Sequence, residues 1–101
     1  MVLPRECGDV PSNAISDEDW KQYSDELSRI LQRARATRGL TQEHVAYTAG
    51  ITRTTYQRFE KNENRPGSPS NPGLRSLVAI AAALEIDVAE LLPPWKPDLR
   101  P

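Results

Sequence analysis

The chain has 101 residues, in which 13 Lys and Arg are set against 14 Asp and Glu for a formal net charge of −1. This length fits one ordinary domain and excludes doubly wound sheets and barrels. The longest apolar stretch, 77–84, is too short to span a bilayer, and residues 1–7 lack the basic start and apolar run of a secretory signal. Cys7 is the single cysteine, which excludes an internal disulfide and a cysteine-based zinc cluster. We therefore expect a cytoplasmic protein without metal or cofactor.

Proline positions divide the chain. Prolines are absent between Pro11 and Pro66 and between Pro72 and Pro93. Because proline breaks helix interiors, these gaps leave room for helices over 12–65 and 73–92. The first window predicts a helix over about 17–37, with Ser16 as its N-cap and Ile15 and Trp20 at the spacing of a hydrophobic staple. Its apolar stripe comprises Trp20, Tyr23, Leu27, Ile30, Leu31 and Ala34.

Two short helices follow in quick succession. Thr41 is a predicted N-cap for a segment ending at Gly50, and Thr52 for a segment whose Tyr56 and Phe59 face inward. The tight turn around Gly50 forces the two helices to cross steeply, which is the helix-turn-helix geometry.

The rest of the chain predicts a loop over 62–73 and two more helices. Asn71-Pro72 resembles an N-cap and first turn, and Asp87 with Glu90 forms a capping box for a short last helix. The inward residues of the fourth helix are predicted to be Leu74, Leu77, Val78, Ala81 and Leu84. No strand-like alternation occurs, so the fold is predicted to be all-α with five helices. A flexible N-terminal arm (1–15) and a proline-rich tail (93–101) flank the domain at 16–92.

Several motifs of this chain resemble one family. They are Arg35 to Glu43 (RATRGLTQE), Val45-Ala46, Ala49 to Arg53 (AGITR), Phe59-Glu60, Asn71-Pro72 and Asp87 to Leu92 (DVAELL). Together they resemble the Cro/repressor-type helix-turn-helix family, also called XRE, over about two thirds of the chain. The resemblance implies a five-helix repressor-like bundle that binds double-stranded DNA as a homodimer and regulates transcription, with no enzymatic activity. The chain departs from the family in its longer loop after Glu60 and in Tyr56, which stands where an aliphatic residue is usual.

The resemblance also assigns roles to residues of the two central helices. Arg53, Thr54 and Arg58 match the base-reading positions, and arginine can bond guanine O6 and N7 together in the major groove. We expect contacts with the DNA backbone from Gln42, Thr52, Arg38, Thr41 and Gln57. Arg35 and Glu60 match the family's ion pair between the first and third helices, which would brace the recognition helix.

Other interpretations compete with this one. Arg53 and Arg58 could belong to an ordinary solvated helix face, and the fold could serve an antitoxin or co-regulator chiefly as a protein-binding module. The ends and the long loop would then contact a toxin or the transcription machinery.

His44 and Cys7 are the candidate nucleophiles or metal ligands, but nothing at catalytic spacing accompanies them. The aromatic residues are expected to serve core packing, and Trp95 could alternatively dock on a partner subunit.

Charge is unevenly distributed along the chain. Residues 1–28 carry two bases against seven acids (−5), residues 29–65 eight bases against three acids (+5), and residues 66–101 three bases against four acids (−1). A basic helix-turn-helix thus lies between acidic ends. Near-neutral net charge is therefore compatible with a DNA partner.

Overall fold

The computed structural model of the protein describes residues 11–100, with side chains from residue 17 onward. It contains four α-helices and a 3₁₀ helix: α1 (Pro11–Arg38), α2 (Gln42–Ala49), α3 (Arg53–Lys61), α4 (Leu74–Leu84) and Val88–Leu91. No strand occurs in this part of the chain; an isolated bridge joins Arg65 and Ser68 within a loop. The all-α class is confirmed. The expected fifth α-helix is a single 3₁₀ turn, because Pro93 and Pro94 stop the chain after four helical residues.

The first helix is longer than predicted. Its described part runs from Pro11, so Ser16 lies inside the helix and the predicted N-cap there is wrong. Residues 11–15, which the sequence assigned to the arm, have helical backbone. Residues 1–10, including Cys7, and the side chain of Ile15 lie outside the described part. The helix continues through Ser24, whose hydroxyl donates to the Lys21 carbonyl at 3.1 Å.

The two central helices have the predicted boundaries. The Thr41 hydroxyl accepts from the His44 amide, and the Thr52 hydroxyl from the Thr55 amide, both at 3.0 Å. Gly50 ends α2 in the left-handed conformation at φ 76°, which lets the chain turn at once towards Thr52. Both N-caps and the tight turn of the helix-turn-helix are confirmed.

The core lies where α1, α2, α3 and α4 meet. Its buried residues are Leu27, Leu31, Val45, Ala46, Tyr56, Ile80, Ala81, Ala83, Leu84 and Leu91. Two of the residues predicted to face inward from α4 are exposed instead, Leu74 to 73% and Val78 to 49%. The N-cap of α4 is Gly73 and not Asn71. The helix buries Ala81 and Leu84 as predicted, together with Ile80 and Ala83, which were not predicted. Tyr47 was also expected in the core but is exposed on α2.

The tail returns to α1 and packs against it. Trp95 makes an edge-on contact with Tyr23 (ring centroids 5.3 Å apart), which in turn stacks on Trp20. The Trp95 indole N–H donates to Glu26 at 3.0 Å, and the Asp98 amide to Asp19 at 2.9 Å. Trp95 therefore docks on its own chain, and the described part of the tail contacts α1 between Asp19 and Glu26.

None of the helices between residues 11 and 100 is both long and apolar enough to cross a membrane.

Candidate nucleic-acid interface

Helix α3 has a buried face and a polar, basic outer face. Tyr56 and Glu60 are buried, whereas Arg53, Thr54 and Arg58 are exposed. At about 100° per residue, the three exposed residues lie within one sector of roughly 140°, with Thr54 and Arg58 nearly opposite Tyr56 and Arg53 at the edge of the sector. The three predicted base-reading residues thus share one accessible face.

A stripe of polar side chains on α1 binds the carboxyl end of α3. Asp25, Ser28, Gln32 and Arg35 follow one another at spacings of three and four residues and so share one face of α1. The Ser28 hydroxyl donates to the Phe59 carbonyl at 2.5 Å, and Gln32 Nε2 to the Glu60 carbonyl at 2.6 Å. We call this contact the polar joint. Both carbonyls lie in the last turn of α3, and the Phe59 carbonyl also accepts from the backbone amide of Asn62 at 3.3 Å.

At Asp25, the polar joint also contacts the loop after α3. Asn62 ends α3 in the left-handed conformation at φ 56°, and its side-chain amide donates to Asp25. Its carbonyl oxygen accepts from the buried Ser70, from the backbone amide at 3.0 Å and from the hydroxyl at 3.2 Å. The loop that is longer than in the family is therefore tied to the end of α3 and to α1 by one asparagine.

Arg35 and Glu60 form a bidentate ion pair. Arg35 Nε lies 2.7 Å from Glu60 Oε2, and its terminal nitrogen lies 3.1 Å from Oε1. The Glu60 side chain is only 4% exposed. Burial alone would raise the pKa of Glu60, but hydrogen bonds from Arg35 and Gln42 outweigh it and hold the pKa below its ordinary value. The carboxylate is therefore ionised at neutral pH, although it is buried.

Tyr56 occupies the position where the family usually has an aliphatic residue. Its side chain is fully buried, and its hydroxyl lies beside the Arg35–Glu60 pair without the geometry of a hydrogen bond. Burial, together with the neighbouring Glu60 charge, raises the pKa of the Tyr56 phenol, so it stays protonated. The larger residue is accommodated inside the core.

The first residue of α2 is connected to the same pair. Gln42 Nε2 donates to Glu60 Oε1 at 3.0 Å, and Gln42 Oε1 accepts from Gln57 Nε2 at 3.2 Å. The two predicted backbone contacts Gln42 and Gln57 are therefore hydrogen-bonded to each other. Thr41 and Thr52 are exposed at the amino ends of α2 and α3. Arg38 forms an exposed ion pair with Glu85 at 2.5 Å.

Sequence reasoning missed most of the polar joint. Asp25, Ser28, Gln32 and Asn62 were not singled out, although the first three lie at helical spacing beside the apolar stripe of α1. That spacing was a usable signal, but it does not distinguish a solvated face from one that hydrogen-bonds to a neighbouring helix. The short polar residues at 24 and 28 are both buried.

Among the described side chains, no group of three or more His, Cys, Asp or Glu is placed to hold a metal ion. His44 is exposed on α2.

Comparison with known proteins agrees with this geometry. A family model described as a helix-turn-helix domain matches residues 26–92. The restriction-modification controller protein C.AhdI from Aeromonas hydrophila is 26% identical, with a TM-score of 0.61, over 68% of this chain and 96% of that one. A hypothetical transcription factor, NHTF from Neisseria, is also 26% identical, with a TM-score of 0.61, over 92% of this chain and 88% of that one. No curated protein sequence matches the chain. The chain thus belongs to the helix-turn-helix domain family, with a fold and motifs of the Cro/repressor type, and these similarities support a DNA-binding regulator.

Proposed function

We propose that this protein is a sequence-specific, repressor-like transcription regulator that inserts α3 into the major groove of double-stranded DNA. The observation that carries the proposal is the exposed face of α3, where Arg53, Thr54 and Arg58 lie on a helix whose carboxyl end is hydrogen-bonded to α1. A major groove admits one α-helix, and arginine there discriminates guanine through O6 and N7. Two solved structures similar to this chain are named as a controller protein and a transcription factor.

Polar groups near α3 favour contacts with the phosphates of the DNA backbone. The amino end of α2 offers free backbone N–H groups and the Thr41 and Gln42 side chains, a natural arrangement for a phosphate. Thr52 stands at the amino end of α3, and Arg38 can exchange its exposed partner Glu85 for a phosphate at small cost. We assign these four residues to backbone contacts.

Selection of bound sites from random duplex DNA tests the proposal with the full chain. An enriched inverted repeat with half-sites about 34 Å apart is expected, because two-fold dimers of this type read successive turns of one DNA face. Enrichment of a single site without a repeat would support sequence-specific DNA binding but contradict binding as a dimer. The absence of any enrichment would reject sequence-specific binding and favour the protein-binding alternative.

A pair of arginine variants then locates the reading face. Arg53→Ala should weaken binding to the selected site by about 1–3 kcal/mol and relax the preference at one base pair. Arg33→Ala is the matched control, since it removes the same charge from an exposed position on α1, where Arg33 lines a groove with Ile86 and Glu90. Equal losses for the two variants, with unchanged base preference, would mean that only overall charge matters.

A further inference from the structure

The direction in which Gln42 and Gln57 present their amides follows from the ionised Glu60. A carboxylate can only accept hydrogen bonds, so the group of Gln42 that faces Glu60 Oε1 at 3.0 Å is its NH₂. The Gln42 carbonyl oxygen then points the other way and accepts from Gln57 Nε2 at 3.2 Å. We call this chain, from Glu60 through Gln42 to Gln57, the amide relay.

The relay leaves a defined set of groups free on Gln57. One N–H of its NH₂ group is used by Gln42, which leaves the second N–H and the carbonyl oxygen Oε1. Reversal of the Gln57 amide would bring two carbonyl oxygens together. Oε1 is therefore the end of Gln57 that the relay turns away from Gln42.

Gln57 also lies among the residues that are predicted to read bases. It is half-buried, and on the helical wheel of α3 it falls between the exposed Arg53 and Thr54, about 40° from the first and 60° from the second. It thus lies within the exposed sector of α3 and is joined to α2 through Gln42. A side chain at this position lies between the predicted base-reading residues.

We propose that Gln57 is a specificity-determining residue that reads an adenine in the major groove, and that Gln42 is the positioning residue that orients it. The inference rests on the proposed function and deepens it. A free carbonyl oxygen with a free N–H matches the N6 amino group and N7 of adenine. Guanine presents O6 against Gln57 Oε1 and is disfavoured. Gln57 therefore contacts a base, in place of the DNA backbone contact expected from the sequence.

Site selection with variants of the full chain tests this assignment. The wild-type chain should enrich adenine at one position of each half-site, and Gln57→Ala should reduce that preference by about five- to 150-fold while leaving the other positions intact. Gln42→Ala should relax the preference at the same position, because the Gln57 amide can then rotate. Gln32→Ala is the matched control: it also removes a glutamine hydrogen bond to Glu60, but to the backbone carbonyl and outside the relay.

The outcomes separate the relay from the proposed function. Enrichment without an adenine that depends on Gln57 overturns the assignment alone, whereas no enrichment by the wild-type chain overturns DNA reading as well. A uniform loss of affinity in Gln42→Ala, with unchanged base preference, overturns its positioning role.

Gln57→Glu decides the assignment independently, should Gln42→Ala fail to fold. It keeps the acceptor oxygens but has no N–H, so the preference should move from adenine to cytosine, whose N4 amino group donates to a carboxylate. An unchanged adenine preference in Gln57→Glu also overturns the assignment.

Discussion

Two helix pairs hold the helix-turn-helix in place, and they do so with different interactions. Helices α2 and α4 pack through buried apolar side chains, Val45 and Ala46 from one and Ile80, Ala81 and Leu84 from the other. Helices α1 and α3 meet at the polar joint, where hydroxyl, amide and guanidinium groups of α1 bind the last turn of α3. We call the first contact the apolar joint.

We infer that the apolar joint chiefly determines the stability of the fold, whereas the polar joint chiefly determines the orientation of α3. Apolar burial is favourable in proportion to area and has no preferred direction, so it tolerates small shifts of one helix along another. Hydrogen bonds to successive groups at the end of α3 depend on distance and angle, so they fix the rotation and the axial position of that helix. We expect changes in the apolar joint to act on folding, and changes in the polar joint to act on how α3 is presented.

The largest effect should follow Leu84→Ala in the apolar joint. Leu84 is fully buried, and its truncation should lower the free energy of unfolding by about 2–5 kcal/mol, through lost burial and the cavity that remains. Urea unfolding measures this loss. The DNA preference of the molecules that remain folded should be unchanged.

Leu74→Ala is the matched control for that variant. It removes the same atoms from the same helix, but Leu74 is largely exposed, so the free energy of unfolding should change by less than about 0.5 kcal/mol. Equal losses in the two variants would contradict the position of the core along α4.

A smaller effect should follow Glu60→Gln in the polar joint. Loss of the carboxylate removes charged hydrogen bonds with Arg35, at a cost of about 1.5–3 kcal/mol at pH 7. Because the pKa of Glu60 is lowered in the folded protein, this stabilisation is complete above the ordinary glutamate value of about 4.3 and is lost as the pH falls through the lowered value. The difference in unfolding free energy between wild type and Glu60→Gln should therefore shrink in acid.

Glu85→Gln provides the control for charge. Glu85 pairs with Arg38 at the surface, where such pairs contribute about 0–1 kcal/mol, so its neutralisation should change stability little. A gap between wild type and Glu60→Gln that stays constant down to the most acid pH would contradict the ionised, buried carboxylate.

How much could be predicted from the sequence differs between the two joints. The apolar joint follows from periodicity, since Val45 and Ala49 of α2 and Leu77, Ala81 and Leu84 of α4 recur at spacings of three and four residues. The caps at Thr41 and Thr52 fix where α2 and α3 begin. The errors at Leu74 and Val78 lie in the centre chosen for the inward stripe, which periodicity does not fix because α4 is apolar at every position except Arg75 and Ser76. The actual cap is Gly73, and α4 buries Ile80 instead of Leu74 and Val78.

The polar joint could be predicted only at Arg35 and Glu60, and there only from the resemblance to a family. Ser28 and Gln32 hydrogen-bond to backbone carbonyls of α3, and every residue has such a carbonyl, so no partner is visible in the sequence. The same holds for the tail. Trp95 meets Tyr23 and Glu26 about 70 residues away, through contacts that depend on the whole path of the chain.

The smallest expected effect is that of Ser28→Ala, which we compare with Ser24→Ala on the same helix. This pair of variants tests the polar joint most directly. Ser24 and Ser28 are both buried on the same helix, but Ser24 donates to the Lys21 carbonyl of its own helix, whereas Ser28 donates across to Phe59 of α3. A serine that bonds back to its own helix adds little or slightly destabilises it, so Ser24→Ala should be nearly neutral. Ser28→Ala should cost about 0.5–1.5 kcal/mol of unfolding free energy and loosen the end of α3. Hydrogen exchange of the α3 amides measures that loosening. If the two variants behave alike in both measurements, the hydroxyl of Ser28 does not hold α3, and the orientation of this helix depends on the other contacts of the polar joint.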